Sequence, residues 1–184
     1  MTKIQDRITL GIIAGIIGNI FKQIVSQILE ALNYQKVDAP KKAAALYVTR
    51  KKTKKPLGLL LGLIADFSIA CKLGIILVYV ISATGKDNHL IKGLSLGSFA
   101  WTIMYGLLSR MGGTGFWVLR PRDGISGYIT HIVFGLATAE AIVRLGDESL
   151  FTPRYQALSN PKNAKEINQE TYVNQQNYEE ELTY

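Results

Sequence analysis

The chain is 184 residues long, about one domain by length, with a net charge of +7 and 48% hydrophobic residues. Its single cysteine, Cys71, and its two histidines, His89 and His131, exclude an intramolecular disulfide, a cysteine-ligated metal and a histidine-rich metal centre. There is no nucleophile elbow, and the GGTG run at 112–115 lacks the Gly-Lys-Ser/Thr of a P-loop, so no cofactor, metal or enzymatic activity is expected.

Apolar residues are segregated into four blocks. The first runs from Ile8 to Leu32. Its opening half is apolar on all sides. In its second half Asn19, Gln23, Ser26, Glu30 and Asn33 recur at three- and four-residue steps, with Ile17, Phe21, Ile24, Ile28 and Leu32 on another face. That periodicity predicts a helix whose polar stripe faces protein, water or the headgroup zone. Twenty-five helical residues reach about 37 Å, enough for a hydrocarbon layer of about 30 Å. No Ala-x-Ala site follows the block, which therefore reads as a retained helix and not a signal peptide.

The connection from Asn33 to Lys55 carries Lys36, Lys41, Lys42, Arg50, Lys51, Lys52, Lys54 and Lys55, and its 41–50 segment suits a short helix on a membrane surface. Pro56 then opens the longest block, Leu57 to Ala83, placed where proline suits a first helical turn. Only Asp66, Lys72 and small hydroxyl residues interrupt its apolar run. A short link, Thr84 to Leu90, predicts that the third block, Ile91 to Leu108, lies antiparallel beside the second. Arg110 closes that block. The glycine-rich stretch 111–124, with Phe116, Trp117, Arg120 and Arg122, suits a loop at headgroup level. The fourth block, Ile125 to Val143, ends at Arg144.

Residues 151–184 are rich in Asn, Gln and Glu and too poor in apolar side chains to offset their ordering entropy, so they read as a disordered acidic tail. From Leu145 onward three basic residues face seven acidic ones, a balance of −4 that leaves +11 on the rest. The fold expected is all-α: a polytopic membrane protein with a four-transmembrane-helix bundle over 1–150, spans near 8–32, 57–83, 91–108 and 125–143. With four spans, the most basic loops share the cytoplasmic face and both termini lie outside.

Three sets of residues stand out. Gly11 and Gly15, Gly58 and Gly62, and Gly93 and Gly97 are each four apart, as are Gly135 and Ala139. Such pairs form flat strips that let helix backbones approach closely, within the chain or in a homo-oligomer. Lys22, Asp66, Lys72, His131 and Glu140 are ionisable residues inside the blocks, and each needs a partner, a neutral state or water. Asp66 and Lys72 are both deep, but six residues apart and so on different faces; Asp66 with Lys22 is one expected helix-to-helix pair. Glu140 is four residues before Arg144, the order that favours a local ion pair. Finally, Lys41, Lys42, Arg50, Lys51, Lys52, Lys54 and Lys55 suit contact with anionic lipid headgroups. No nucleic-acid fold accompanies that charge, so nucleic acid is not an expected partner.

The opening GIIAGIIGNIFKQI, small residues every few positions followed by a lysine, resembles the first helix of small bacterial inner-membrane proteins of the YagU kind. The resemblance covers that helix and the four-block layout. It implies a bacterial inner-membrane location, and its motifs transfer no functional residue. The function expected is a non-enzymatic structural or interaction component of the membrane, or else a small transporter or channel subunit with Asp66, Lys72 and His131 lining a wet path.

Overall fold

The first helix shows how these residues fold. Asp6 takes the N-cap position, its carboxylate accepting from the Thr9 backbone N–H at 2.6 Å, and α1 then runs Arg7–Ala31. Its interior face is built from Gly11, Ala14, Gly15, Gly18, Asn19, Lys22 and Ser26, all buried. Its exterior face repeats isoleucine every fourth residue from Ile8 to Ile28, each of these 36–52% exposed. Small and polar residues point in and branched apolar residues point out, the reverse of an aqueous helix.

The computed structural model describes residues 3–35, 39–48, 51–108 and 121–151. The short α2, Ala39–Ala44, follows α1; α3 is Pro56–Thr84 and α4 is His89–Trp101. Beyond Trp101 the helix widens into a π-helical stretch, Thr102–Leu108. Then α5 runs Pro121–Leu145 and a 3-10 turn covers Glu148–Phe151. The described residues are all-helical apart from one isolated bridge between Ile4 and Gly146. Three helices, α1, α3 and α5, are long and apolar enough to cross a membrane.

The long helices alternate in direction. Gly11 lies against Ile75 and Gly15 against Ala70 and Cys71, so α1 and α3 are antiparallel. Likewise Gly93 meets Gly135 and Gly97 meets His131, which sets α4 antiparallel to α5. Gly18 faces Phe134 and Thr138, and Ile4 N–H donates to Leu145 O at 2.9 Å, so α1 is antiparallel to α5 as well. The lateral order is therefore α3, α1, α5, α4. A core of Leu10, Ala14, Leu77, Val78, Ile81, Ala139, Ile142, Leu150 and Phe151 fills the end that holds the N-terminus of α1.

Four expectations change. The third block is helical from His89 to Leu108, but only its first 13 residues are α-helical. It packs chiefly on α5 and touches α3 little, because the glycines that permit close approach on α4 match those of α5. The short helix expected over 41–50 is instead α2, Ala39–Ala44, which packs on α3, with Ala43, Ala44 and Ala45 buried. The tail does not begin at 151: Phe151 is in the core at 4% exposure. Residues 152–184, Arg50, Arg110, Phe116, Trp117 and Arg120 lie outside the described residues, as does the Lys42 side chain.

The α1 cap gives a pH test. The Thr9 hydroxyl first, and the Thr9 N–H second, hold the Asp6 carboxyl below its usual 3.8. Asp147 is lowered in the same way by Ser149. A depressed carboxyl contributes stability above its unfolded value and loses it as pH falls through the folded one. Acidification below 3.8 is therefore expected to lower the protection of the Thr9 and Leu10 amides from hydrogen exchange, measured against their intrinsic rates at the same pH. Asp6→Ala should show that lowered protection at neutral pH, and Asp6→Asn, still a good cap, should not.

Candidate functional site

On α1, Asn19, Lys22, Gln23 and Ser26 succeed one another at helical steps along the face turned inward. Across the antiparallel contact, α3 presents Asp66, which is 8% exposed. Lys22 Nζ lies 2.5 Å from Asp66 Oδ1, and Gln23 Nε2 donates to Asp66 Oδ2 at 2.7 Å. Both carboxylate oxygens are thereby engaged. The Lys22 ammonium also sits 5.9 Å from the centroid of the Phe134 ring on α5, within cation–π range. One lysine thus ties three helices together. The pair anticipated between Lys22 and Asp66 is present, and Gln23 completes it. A glutamine reads from sequence only as part of a polar stripe, so nothing in the spacing marked it.

Further along the same face, Gln35 folds back after α1, and its Nε2 donates to Ser26 O at 2.6 Å and to Ser26 Oγ at 2.7 Å. Asn19 is fully buried, and among the described residues neither its amide nitrogen nor its amide oxygen has a hydrogen-bond partner.

Beside the ion pair is a cleft of about 260 Å³, lined by Lys22 and Asp66, by Ile69 and Leu73 of α3, by Phe99 and Ile103 of α4 and its extension, and by His131 of α5. It exists because α3 and α4 are kept apart by the two central helices. His131 donates from Nδ1 to Gly127 O at 2.7 Å, since a carbonyl can only accept. Its ring meets Tyr105 edge-on, with centroids 5.9 Å apart. Trp101 stacks on Tyr105 and meets Tyr128 edge-on, closing an aromatic cluster over Gly127.

The remaining candidates separate. Glu140 binds Arg144 at 2.5 Å and also His89 of α4 at 3.0 Å. The first partner was legible from the four-residue spacing. The second, expected in a loop, is the first residue of α4. Lys72 joins none of these groups and lies exposed on α3. Among the headgroup candidates, Lys51, Lys52, Lys54 and Lys55 are exposed, and Lys41 stands 3.7 Å from Glu30.

The glycines divide too. Gly11, Gly15, Gly93, Gly97 and Gly135 lie at helix contacts where a Cβ has no room, whereas Gly58 meets Lys52 and Thr53 of its own preceding loop. Gly62 is buried on α3. Gly74 serves the contact of α1 with α3 and Gly18 that of α1 with α5; neither was singled out, although Ala70 and Ala14 stand four residues from them as Ala139 does from Gly135. No cluster of three or more metal-binding side chains occurs among the described residues.

Fold and site together define an all-helical bundle with Asn19, Lys22, Ser26 and Asp66 turned inward and with three helices long and apolar enough to cross a membrane. Comparison with protein-family models, curated proteins and solved structures found no match.

Proposed function

We propose that this chain is a multi-pass protein of the bacterial inner membrane, with four alternating spans, acting as a non-enzymatic structural or interaction component. The observation that carries this reading is the inversion of α1, which buries Asn19, Lys22 and Ser26 and turns its isoleucines outward. In hydrocarbon a polar side chain gains most by facing protein, and an isoleucine loses nothing by facing lipid. The fourth span in this reading is His89–Leu108, whose 20 residues reach about 30 Å at the α-helical rise, the thickness of the hydrocarbon layer. Lys51, Lys52, Lys54 and Lys55 then sit together at the cytoplasmic face, where they attract anionic headgroups.

Accessibility labelling tests the topology. In a Cys71→Ala background, single cysteines replacing Lys52 and Asp87 are expected to react from opposite sides of sealed vesicles. Reaction of both from one side rejects the four-span arrangement.

The cleft supports a second reading, a transport path, because Lys22, Asp66 and His131 all reach it. Asp66→Asn separates the two. An interaction component loses folded protein in detergent, whereas a transporter keeps its fold and changes proton or ion flux in vesicles.

A further inference from the structure

Lys72 stands apart from the bundle's own ionic pairs. It is exposed, and no carboxylate among the described residues lies within ion-pair distance of it. It occupies the outward face of α3 together with Leu60, Ile64, Ser68, Ile76 and Val80, all exposed and four residues apart. It is 12 residues from the end of the helix at Thr84 and 16 from its start at Pro56, so with α3 centred in a hydrocarbon layer of about 30 Å it lies close to mid-depth, about 12 Å from the nearer boundary. Helical side chains lean toward the N-terminus, so the Lys72 stem points at the more distant end. Snorkelling to a headgroup is therefore unfavourable from this position, and an ammonium in hydrocarbon demands a partner.

We propose that this face of α3 docks a membrane helix of a different protein, which carries a carboxylate at mid-depth that pairs with Lys72. The proposal rests on reading α3 as a membrane span and names the chemistry of the partner. Charge complementarity decides the occupant. A second copy packed symmetrically on this face sets Lys72 against Lys72. Among the described residues this chain also has no free carboxylate at that depth to offer. Asp66 is buried with both oxygens engaged, Glu140 is held by Arg144 and His89, and Asp6, Glu30, Asp87, Asp123, Asp147 and Glu148 lie at or beyond helix ends. Ser68, one turn away, gives its hydroxyl hydrogen to Ile64 O at 2.7 Å and leaves a small side chain where a second backbone can come close.

The test places the full chain in neutral phosphatidylcholine vesicles with a synthetic polyleucine helix bearing one central Glu, and reads association by energy transfer against an all-leucine helix. Flotation with the vesicles and protection from protease are read first. The Glu helix is expected to associate about tenfold more tightly than the leucine helix, a ratio that one polar contact between membrane helices supports. Lys72→Met should abolish the difference and Lys72→Arg should keep it. Equal association of both helices, or a preference that survives Lys72→Met, overturns the docking proposal. So does displacement of the Glu helix by phosphatidylglycerol, which assigns Lys72 to lipid, or Lys72-dependent self-association, which assigns it to a second copy. A chain that fails to insert overturns the span reading and this proposal together, while an inserted chain without preference overturns this proposal alone.

Discussion

Replacement of Lys22 with Met is expected to cost the folded protein about 3–5 kcal/mol, the usual penalty for leaving one member of a buried ion pair without the other. Asp66 is only 8% exposed, and Gln23 neutralises none of its charge. The loss is read as a lower midpoint of helix unfolding in detergent, followed by circular dichroism. The double replacement Lys22→Met with Asp66→Leu should recover most of that stability, because it removes both charges and keeps apolar volume. A double variant as unstable as the single one rejects the ion pair as the cause. The glutamine contact alone is a minor part of the cluster.

The second large effect concerns close approach. A Cβ on Gly15 falls on the Ala70 carbonyl and stands 2.9 Å from Cys71 Cα. Both are backbone atoms, so the helices themselves must separate to admit it. Gly15→Ala is accordingly expected to destabilise by about 1–3 kcal/mol or more, an overpacking cost unusual for one methyl group. Gly106→Ala is the control. Its nearest atom is Thr102 Cγ2 at 3.7 Å, an ordinary contact, and its effect should stay within about 0.5 kcal/mol. Equal effects at the two positions reject the tight crossing of α1 and α3. Unfolding in detergent again supplies the measurement.

The long helices were legible in the sequence because each is an apolar run that aqueous cores do not require, and their observed ends fall within a few residues of the expected ones. The link between Lys22 and Asp66 was legible for a different reason. A charge inside such a run is so costly that it calls for a partner, and few were on offer. What stayed hidden depends on which helix faces which. The short link after Thr84 suggested that α3 and α4 pair, but Gly93 and Gly97 of α4 fit the backbone of α5 around Gly135 better. The widening of the helix after Trp101 carries no marker such as proline or a glycine pair. His89 reaches Glu140 only because α4 starts where α5 is ending, which no spacing reveals. Phe151 reads as the start of a polar tail, yet its ring lies beneath Lys86 Nζ, 4.7 Å from the centroid.

The separation of Lys22 and Asp66 along the chain, 44 positions, also has a consequence for biosynthesis. At roughly 5–20 residues per second, a ribosome delivers the acid about 2–9 s after the base. During that wait the first hydrophobic stretch holds a cation whose neutralising group is still being made. On the membrane reading proposed above, stable entry into the bilayer is an event of α1 and α3 together, with the leading segment held beside the insertion machinery until both have emerged.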